Sequence, residues 1–128
     1  MSEDRLDSRL RAGEIVVTAE VGSAVKAYPL RLIGDAAVND RVGGTPIVIF
    51  SRGLAGAVFL STVSGKQLAF RYDDGLFIDA ETGSTWDAFG RAVAGSLEGT
   101  ALEPVPTRRA FWFSVAGAIP GLELYSAD

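Results

Sequence analysis

The sequence predicts a mainly β fold, α+β at the margin. About eight short, mostly antiparallel strands would meander into a small barrel or rolled sheet, and one C-terminal helix would plug or cover it. Short apolar runs, rich in β-branched residues, are separated by turn signals at the spacing of meandering strands. The 15 Gly residues often flank these runs, and a hydrophobic fraction of 48% in 128 residues suffices for the core of one domain.

The chain is predicted to divide into a tail and one domain. Residues 1–13 are mostly charged, with Leu6 and Leu10 spaced for a short helix, and they predict a polar tail that is mobile or loosely docked. The β-branched pattern begins after Glu14, so residues 14–128 are predicted to form a single β-rich domain.

The first half of this domain predicts a hairpin and a buried strand. Two apolar runs on either side of Gly22-Ser23 predict the hairpin, whose second strand extends to Ile33. Pro29 has no N–H to donate, so we expect it at an edge or a bulge. Asn39-Asp40 is a turn signal, and the continuous apolar run of residues 45–50 is typical of a strand buried on both faces.

The second half predicts further strands and the helix. Asp74-Gly75 favours a type I′ turn between strands at 66–72 and 76–80. Thr107 is a candidate N-cap for a helix over residues 108–118, which would end at Pro120-Gly121. Other predicted strands are residues 57–63, the short pair Thr85-Trp86, and a final strand at 122–125.

Composition excludes several kinds of site. The chain has no Cys and no His, which excludes disulfides, thiolate nucleophiles and Cys/His zinc sites, and also triads that need an imidazole base. A net charge of −4 argues against a nucleic-acid partner. No apolar run is long enough to span a membrane. No cofactor is predicted, and no residue is assigned a catalytic or metal-binding role.

The N-terminus lacks the apolar core of a signal peptide. The chain as given is therefore expected to be cytoplasmic, and extracytoplasmic if it is excised from a longer precursor.

Candidate ligand-binding residues cluster in the stretch 71–86. Hydroxyl groups beside an indole could form a ligand platform, and carboxylates could serve acid–base chemistry or bind Ca²⁺. The alternative is turn chemistry around a Trp that packs in the core, and this alternative is favoured. The candidates are Asp79, Glu81, Thr82, Ser84, Trp86 and Arg71.

Several segments, in this order, resemble an uncharacterised prokaryotic family known as domain of unknown function 3179. The resemblance extends over roughly residues 21–124. Its most specific piece is Thr82-Gly83-Ser84 followed by Trp86, then a series of spaced small and apolar residues. The segments are AYPLRLI, VNDRVGGTPIVIF, VSGKQL and DAETGSTWDAFGRAVAGSLEGTALEPVP.

The departures from this family bear on function. The resemblance implies two Cys positions, which Ser51 and Leu54 occupy here, and a His-Glu pair, which appears as Asp35-Ala36. Any thiol, metal or imidazole chemistry of the family there is closed to this chain. The chain therefore resembles a short, non-catalytic member.

We therefore predict a non-catalytic binding or assembly module, with a protein partner or a homo-oligomer formed through apolar surface. The alternatives are a carboxylate-dependent enzyme, which would gather Asp79 or Glu81 with Arg71 or Arg91, and a protein that binds a small ligand or metal ion. The aromatic run 111–113 is the feature that distinguishes them, because full burial would weaken the binding hypothesis.

Overall fold

The computed structural model describes residues 13–53 and 55–126. The predicted tail lies outside this part of the chain except for Gly13, and so does Leu54. Of the described residues, 53% are in strands and 8% in helices, which confirms the mainly β class. The strands form separate sheets, and these do not close into a barrel within the described residues.

Strands account for most of the elements, and both helices are short. The strands are β1 (Ile15–Val21), β2 (Ala24–Tyr28), β3 (Ala36–Val42), β4 (Thr45–Arg52), β5 (Ala55–Leu60), β6 (Thr62–Val63), β7 (Lys66–Gln67), β8 (Phe70–Asp73), β9 (Leu76–Asp79), β10 (Thr85–Trp86), β11 (Ala92–Ala94), β12 (Thr107–Phe111) and β13 (Glu123–Leu124). The helices are α1 (Leu30–Ile33) and α2 (Trp112–Ala116).

The strands are arranged in three main sheets. Sheet I has the order β12-β1-β2-β13, sheet II the order β3-β4-β5, and sheet III the order β11-β10-β9-β8. A small hairpin, β6-β7, forms a separate two-stranded sheet. All pairings between these strands are antiparallel except that of β13 with β2.

Strand β4 is buried on both faces, as predicted. Ile47 and Ile49 face a first core shared with sheet I, whereas Val48 and Phe50 face a second core shared with sheet III. All four side chains are at most 2% exposed. Sheet II is therefore the middle layer of the molecule, and a third, smaller core lies on the outer face of sheet I beneath Trp112.

Two predicted hairpins are confirmed. Strands β1 and β2 pair around Gly22-Ser23, and β8 pairs with β9 in the register Asp73↔Leu76. The two residues between β8 and β9 have positive φ, 50° at Asp74 and 91° at Gly75. Positive φ at both central positions is what a type I′ turn requires, and Asp-Gly supplies it.

The helix predicted over residues 108–118 is present only over residues 112–116. Residues 107–111 form β12 and pair with β1 from Ile15↔Phe111 to Ala19↔Thr107. Thr107 is therefore not an N-cap; helix α2 starts at Trp112 and has no side-chain cap. Pairing with β1 satisfies backbone groups that a short, uncapped first turn would leave open, so tertiary pairing overrides local propensity.

The strand predicted to reach Ile33 also ends early. It ends at Tyr28, and Pro29 precedes α1, a single helical turn that buries Leu30. Because Pro cannot donate a ladder hydrogen bond, it lies just past the strand rather than within it. The predicted strand 66–72 is likewise divided into β7 and β8, which belong to different sheets.

Asn39-Asp40 is not a turn but the middle of β3, and each side chain ties sheet II to a different neighbour. Asn39 Nδ2 donates to Phe70 O of sheet III, and Phe70 N donates to Asn39 Oδ1, both at 2.9 Å. Asp40 faces sheet I, where it accepts from Tyr28 Oη at 2.8 Å and from Lys26 Nζ at 2.9 Å. These contacts outweigh the local turn preference of the two residues.

The Asp40 contacts also shift two pKa values. Burial of the Tyr28 phenol, together with its hydrogen bond to the carboxylate, raises the pKa of Tyr28 well above its usual range. Burial opposes ionisation of Asp40, but hydrogen bonds from Lys26, Tyr28 and the Arg41 backbone outweigh it and lower the pKa of that carboxyl group. Asp40 is therefore a charged link between sheets I and II.

Candidate functional site

Four of the six predicted site residues come together at one end of sheet III. Asp79 ends β9, Thr82 and Ser84 lie in the following turn, and Trp86 lies in β10, which pairs with β9. Asp79, Ser84 and Trp86 are completely buried. Trp86 also makes an edge-to-face contact with Phe70, with ring centroids 5.5 Å apart.

The Asp79 carboxylate is the centre of this cluster. Its Oδ1 accepts from the backbone N–H of Thr82 at 2.6 Å and from Thr82 Oγ1 at 2.8 Å. Its Oδ2 accepts from the indole Nε1 of Trp86 at 2.8 Å. The Asp, the Thr three residues later and the Trp four residues after that are thereby joined in one hydrogen-bonded network.

The hydroxyl groups extend the network toward β11. Ser84 Oγ lies 2.7 Å from Thr82 Oγ1 and accepts the backbone N–H of Leu97 at 3.1 Å. A Cβ on Gly95 would approach Ser84 Oγ and Cα to 2.7 Å, and φ at Gly95 is +97°. Only Gly fits this close approach without strain.

Hydrogen bonding keeps Asp79 ionised despite its burial. Burial alone would raise the pKa, but donors from the Trp86 indole, from Thr82 and from the Gly83 backbone outweigh it and hold the pKa of Asp79 below its ordinary value. A general acid or base working near neutral pH needs the opposite shift. The Asp79 carboxylate therefore stays ionised near neutral pH and acts only as a hydrogen-bond acceptor.

The other two candidates lie outside this network. Glu81 is exposed and accepts the backbone N–H of Ala69 at 2.9 Å. Arg71 points away from it, with a side chain that is 66% exposed and 3.6 Å from the carboxylate of Asp73. The structure therefore does not bring Arg71 to Asp79. A ligand-binding role for the six residues stays a prediction.

A comparison of the sequence with known protein families gives a match over nearly the whole chain. The family described as Protein of unknown function (DUF3179) matches residues 1–121. The chain belongs to this family. The match includes the whole Asp79 network. Thr82, Ser84 and Trp86, which carry part of the resemblance, are thus joined in one hydrogen-bonded network of a DUF3179 domain.

One curated relative is similar over a shorter stretch. It is the UDP-N-acetylenolpyruvoylglucosamine reductase of Burkholderia ambifaria (strain MC40-6), 37% identical over 57 residues. The match spans 44% of this chain and 16% of the reductase, so the reductase activity is a property of that protein. No solved structure matches the DUF3179 chain significantly.

Of the four positions at which this DUF3179 member departs from the resemblance, the structure describes Asp35, Ala36 and Ser51. Ala36 and Ser51 pair at the end of sheet II where β4 leads into β5, and Asp35 directly precedes β3. The side chain of Asp35 accepts the backbone N–H of Gly53. Ser51 is completely buried, opposite Gly56, and its Oγ has no hydrogen-bond partner among the residues that the structure describes. A Cβ on Gly56 would lie 2.8 Å from Leu30 of α1, so this corner is tightly packed.

The orphaned hydroxyl of Ser51 leads to a stability prediction. Ser51→Ala is expected to raise the free energy of unfolding by about 0.5–1.5 kcal/mol, because an unsatisfied buried hydroxyl costs about 1–3 kcal/mol. Urea denaturation would measure it. Ser84→Ala is the matched control, since Ser84 is equally buried but fully hydrogen-bonded, and it should destabilise. Destabilisation of both variants to the same extent would contradict the prediction.

Charged groups in the described residues offer no obvious metal centre. No cluster of three or more potential ligands is placed to hold a metal ion in residues 13–53 and 55–126. In the same part of the chain, no helix is long and apolar enough to cross a membrane.

The surface has two further features, an exposed pair of aromatic rings and a cleft. The sequence pattern indicated the aromatic run but not the cleft. Phe111 and Phe113 are exposed on either side of the buried Trp112. The second feature, the sheet I cleft, has a volume of about 250 Å³ and lies on sheet I beside the segment that follows α2. No sequence signal indicated it, because its walls come from segments more than 80 residues apart. It is lined by Thr18, Glu20, Val25, Pro106, Thr107, Arg108 and Ile119.

Proposed function

We propose that this DUF3179 domain is a non-catalytic binding or assembly module that contacts a protein, either a second copy or another chain, through an apolar surface. The surface, called the aromatic patch, consists of Ile15, Phe111 and Phe113. The observation that carries the proposal is the exposure of these large side chains, 41%, 49% and 62% respectively.

The aromatic patch is built on regular structure. Ile15 and Phe111 are directly opposed in the β1–β12 pair. The rings of Phe111 and Phe113 are stacked, with centroids 5.6 Å apart and planes 14° apart. Strand β12 ends at Phe111 and α2 begins at Trp112, so the change of element directs the two Phe rings outward while Trp112, only 4% exposed, packs inward.

This arrangement supports binding on energetic grounds. Aromatic side chains contribute much of the energy of protein interfaces when a partner buries them in a packed pocket. Residues held on a strand and a helix lose little conformational freedom on association, which lowers the cost of binding. Apolar groups grouped in this way are more typical of an interaction site than scattered ones.

The state of the polar residues argues in the same direction. A carboxylate enzyme would gather Asp79 or Glu81 with an Arg in an open pocket. Asp79 is instead buried, with its oxygens engaged by the turn and by Trp86, and Arg71 extends into solvent. The Asp79 carboxylate therefore stabilises the fold and is not presented to a substrate.

The proposal predicts a specific loss of association. The wild-type chain at about 100 μM should show self-association by light scattering, or should retain a protein from the source lysate when immobilised. Phe111→Ser combined with Phe113→Ser should abolish whichever association is seen, because it removes the stacked rings. Phe89→Ser is the matched control, since Phe89 is 86% exposed but lies in the turn between β10 and β11, away from the aromatic patch in the sequence.

Far-UV circular dichroism must show that the double variant remains folded. The proposal is overturned if the folded double variant associates as the wild type does, or if wild type neither self-associates nor retains any protein.

A further inference from the structure

The sheet I cleft is separate from the aromatic patch. In β1, alternation places Thr18 and Glu20 on the outer face of sheet I, the face that carries Val16 and the third core. Val17 and Ala19 point to the opposite face, into the first core. Ile15 lies on the same face as Val17 and Ala19. Ligand binding in the cleft and protein binding at the patch would therefore use different faces of the same strand.

The cleft contains one acidic and one basic side chain that do not neutralise each other. Thr18 opposes Arg108 in the β1–β12 pair, so Glu20 and Arg108 are diagonal neighbours on one face. Diagonal neighbours of opposite charge are within reach of an ion pair, but neither group forms one in the described part of the chain. The cleft therefore has a positive and a negative group available to a ligand.

The Thr18 hydroxyl in the cleft can accept a further hydrogen bond. Thr18 is 5% exposed, and its Oγ1 donates to the backbone O of Arg108 over a long 3.4 Å. The oxygen lone pairs of this hydroxyl receive no hydrogen bond from the described residues. An ammonium or N–H group of a ligand could donate to it.

The remaining walls are apolar and restrict size. Val25, Pro106 and Ile119 contribute the hydrocarbon surface. A volume of about 250 Å³ is smaller than the roughly 300–1,000 Å³ typical of pockets for drug-sized ligands. The cleft therefore suits a molecule of the size of one or two amino acids.

We propose that the sheet I cleft binds a small zwitterion that carries a carboxylate, an ammonium group and a short aliphatic chain, which is the chemistry of an aliphatic α-amino acid or of a short apolar peptide. Arg108 receives the carboxylate. Glu20 and Thr18 receive the ammonium group. Val25, Pro106 and Ile119 contact the aliphatic chain.

The test is an NMR titration of the ¹⁵N-labelled full chain with L-leucine up to about 20 mM. Saturable shifts are expected at the amides of Thr18, Glu20, Thr107 and Arg108, with a dissociation constant below about 10 mM. N-acetyl-L-leucine lacks the ammonium group and L-leucinamide lacks the carboxylate, so each should bind at least tenfold more weakly. The dipeptide Leu-Leu distinguishes a peptide from a free amino acid as the better ligand.

Variants assign the two charges. Arg108→Gln should weaken L-leucine at least tenfold but leave L-leucinamide unchanged, whereas Glu20→Gln should weaken L-leucine and leave N-acetyl-L-leucine unchanged. Arg71→Gln, which removes an exposed charge from sheet III, is the matched control and should bind like wild type.

The inference is overturned if neither L-leucine nor Leu-Leu gives saturable shifts at the cleft, or if the analogues bind as tightly as L-leucine. It is also overturned if Arg108→Gln and Glu20→Gln bind L-leucine like wild type. None of these results affects the aromatic patch, whose test measures protein association.

Discussion

Replacing Asp79 with alanine is expected to lower the free energy of unfolding by about 3–5 kcal/mol, because it removes three hydrogen bonds to a charged acceptor, worth about 1.5–3 kcal/mol each, one of them from a buried donor. The donors are the Trp86 indole and the backbone N–H and hydroxyl of Thr82. Asp79→Asn should destabilise less, although its amide nitrogen must meet a donor and so leaves one hydrogen bond unmade.

Urea denaturation followed by Trp fluorescence measures this effect. Asp73→Ala is the matched control, since it removes a carboxylate from the same β8–β9 hairpin. The side chain of Asp73 is 55% exposed. Changes at such surface sites usually stay within about 0.5 kcal/mol. Equal losses for Asp79→Ala and Asp73→Ala would contradict the structural role assigned to the Asp79 network.

The same comparison should depend on pH in a defined direction. The pKa of Asp79 is lowered in the folded state, so its ionised form contributes stability above the ordinary Asp pKa of about 3.9. This contribution disappears as pH falls through the folded-state pKa. The difference in stability between wild type and Asp79→Ala should therefore be constant from about pH 5 to 8 and shrink below about pH 4; a difference that stays constant to pH 2 would be contrary evidence.

Asn39→Ala is expected to have the second large effect, a loss of about 2–4 kcal/mol. The substitution removes both hydrogen bonds to the backbone of Phe70, whose residue is only 5% exposed, and leaves that N–H and C=O without partners. Asn39→Asp tests the geometry more sharply. It retains an acceptor for the Phe70 N–H but directs a second oxygen at the Phe70 carbonyl, so it should be about as destabilising as alanine.

Arg41→Ala provides the control, because Arg41 lies two residues along β3 on the same face and is exposed. Equilibrium urea denaturation should show a small change for Arg41→Ala and a large one for Asn39→Ala. Hydrogen exchange should show that the Phe70 amide loses protection in Asn39→Ala. Retained protection at Phe70 would mean that another group takes over the role of Asn39.

The elements that the sequence predicted correctly are those determined by local chemistry. Asp74-Gly75 supplies the φ values of its turn, and the apolar run of β4 is buried on both faces. The residues of the Asp79 network also lie close together in the chain, so they could be identified as a group. Their role could not be identified, because the sequence does not show that the indole of Trp86 points back at Asp79.

The errors occur where distant partners decide the outcome. Asn39-Asp40 favours a turn locally, but Phe70 and Tyr28, which lie 31 and 12 residues away, hold it in a strand. Residues 107–111 favour a helix start, but β1, about 90 residues earlier, pairs with them. The cleft was missed for the same reason, since Glu20 and Arg108 become neighbours only through that pairing.

The adjacent pair at the centre of β3 also protects the alignment of the strand. A slip of one residue would exchange the faces of the two side chains. Asp40, which has only acceptors when ionised, would then meet the carbonyl of Phe70, and Asn39 would replace the charge that holds Lys26. The two side chains thus distinguish the correct register from its nearest competitor by donor and acceptor chemistry. Their apolar neighbours Ala37 and Val38 differ only in size and would distinguish the two registers less sharply.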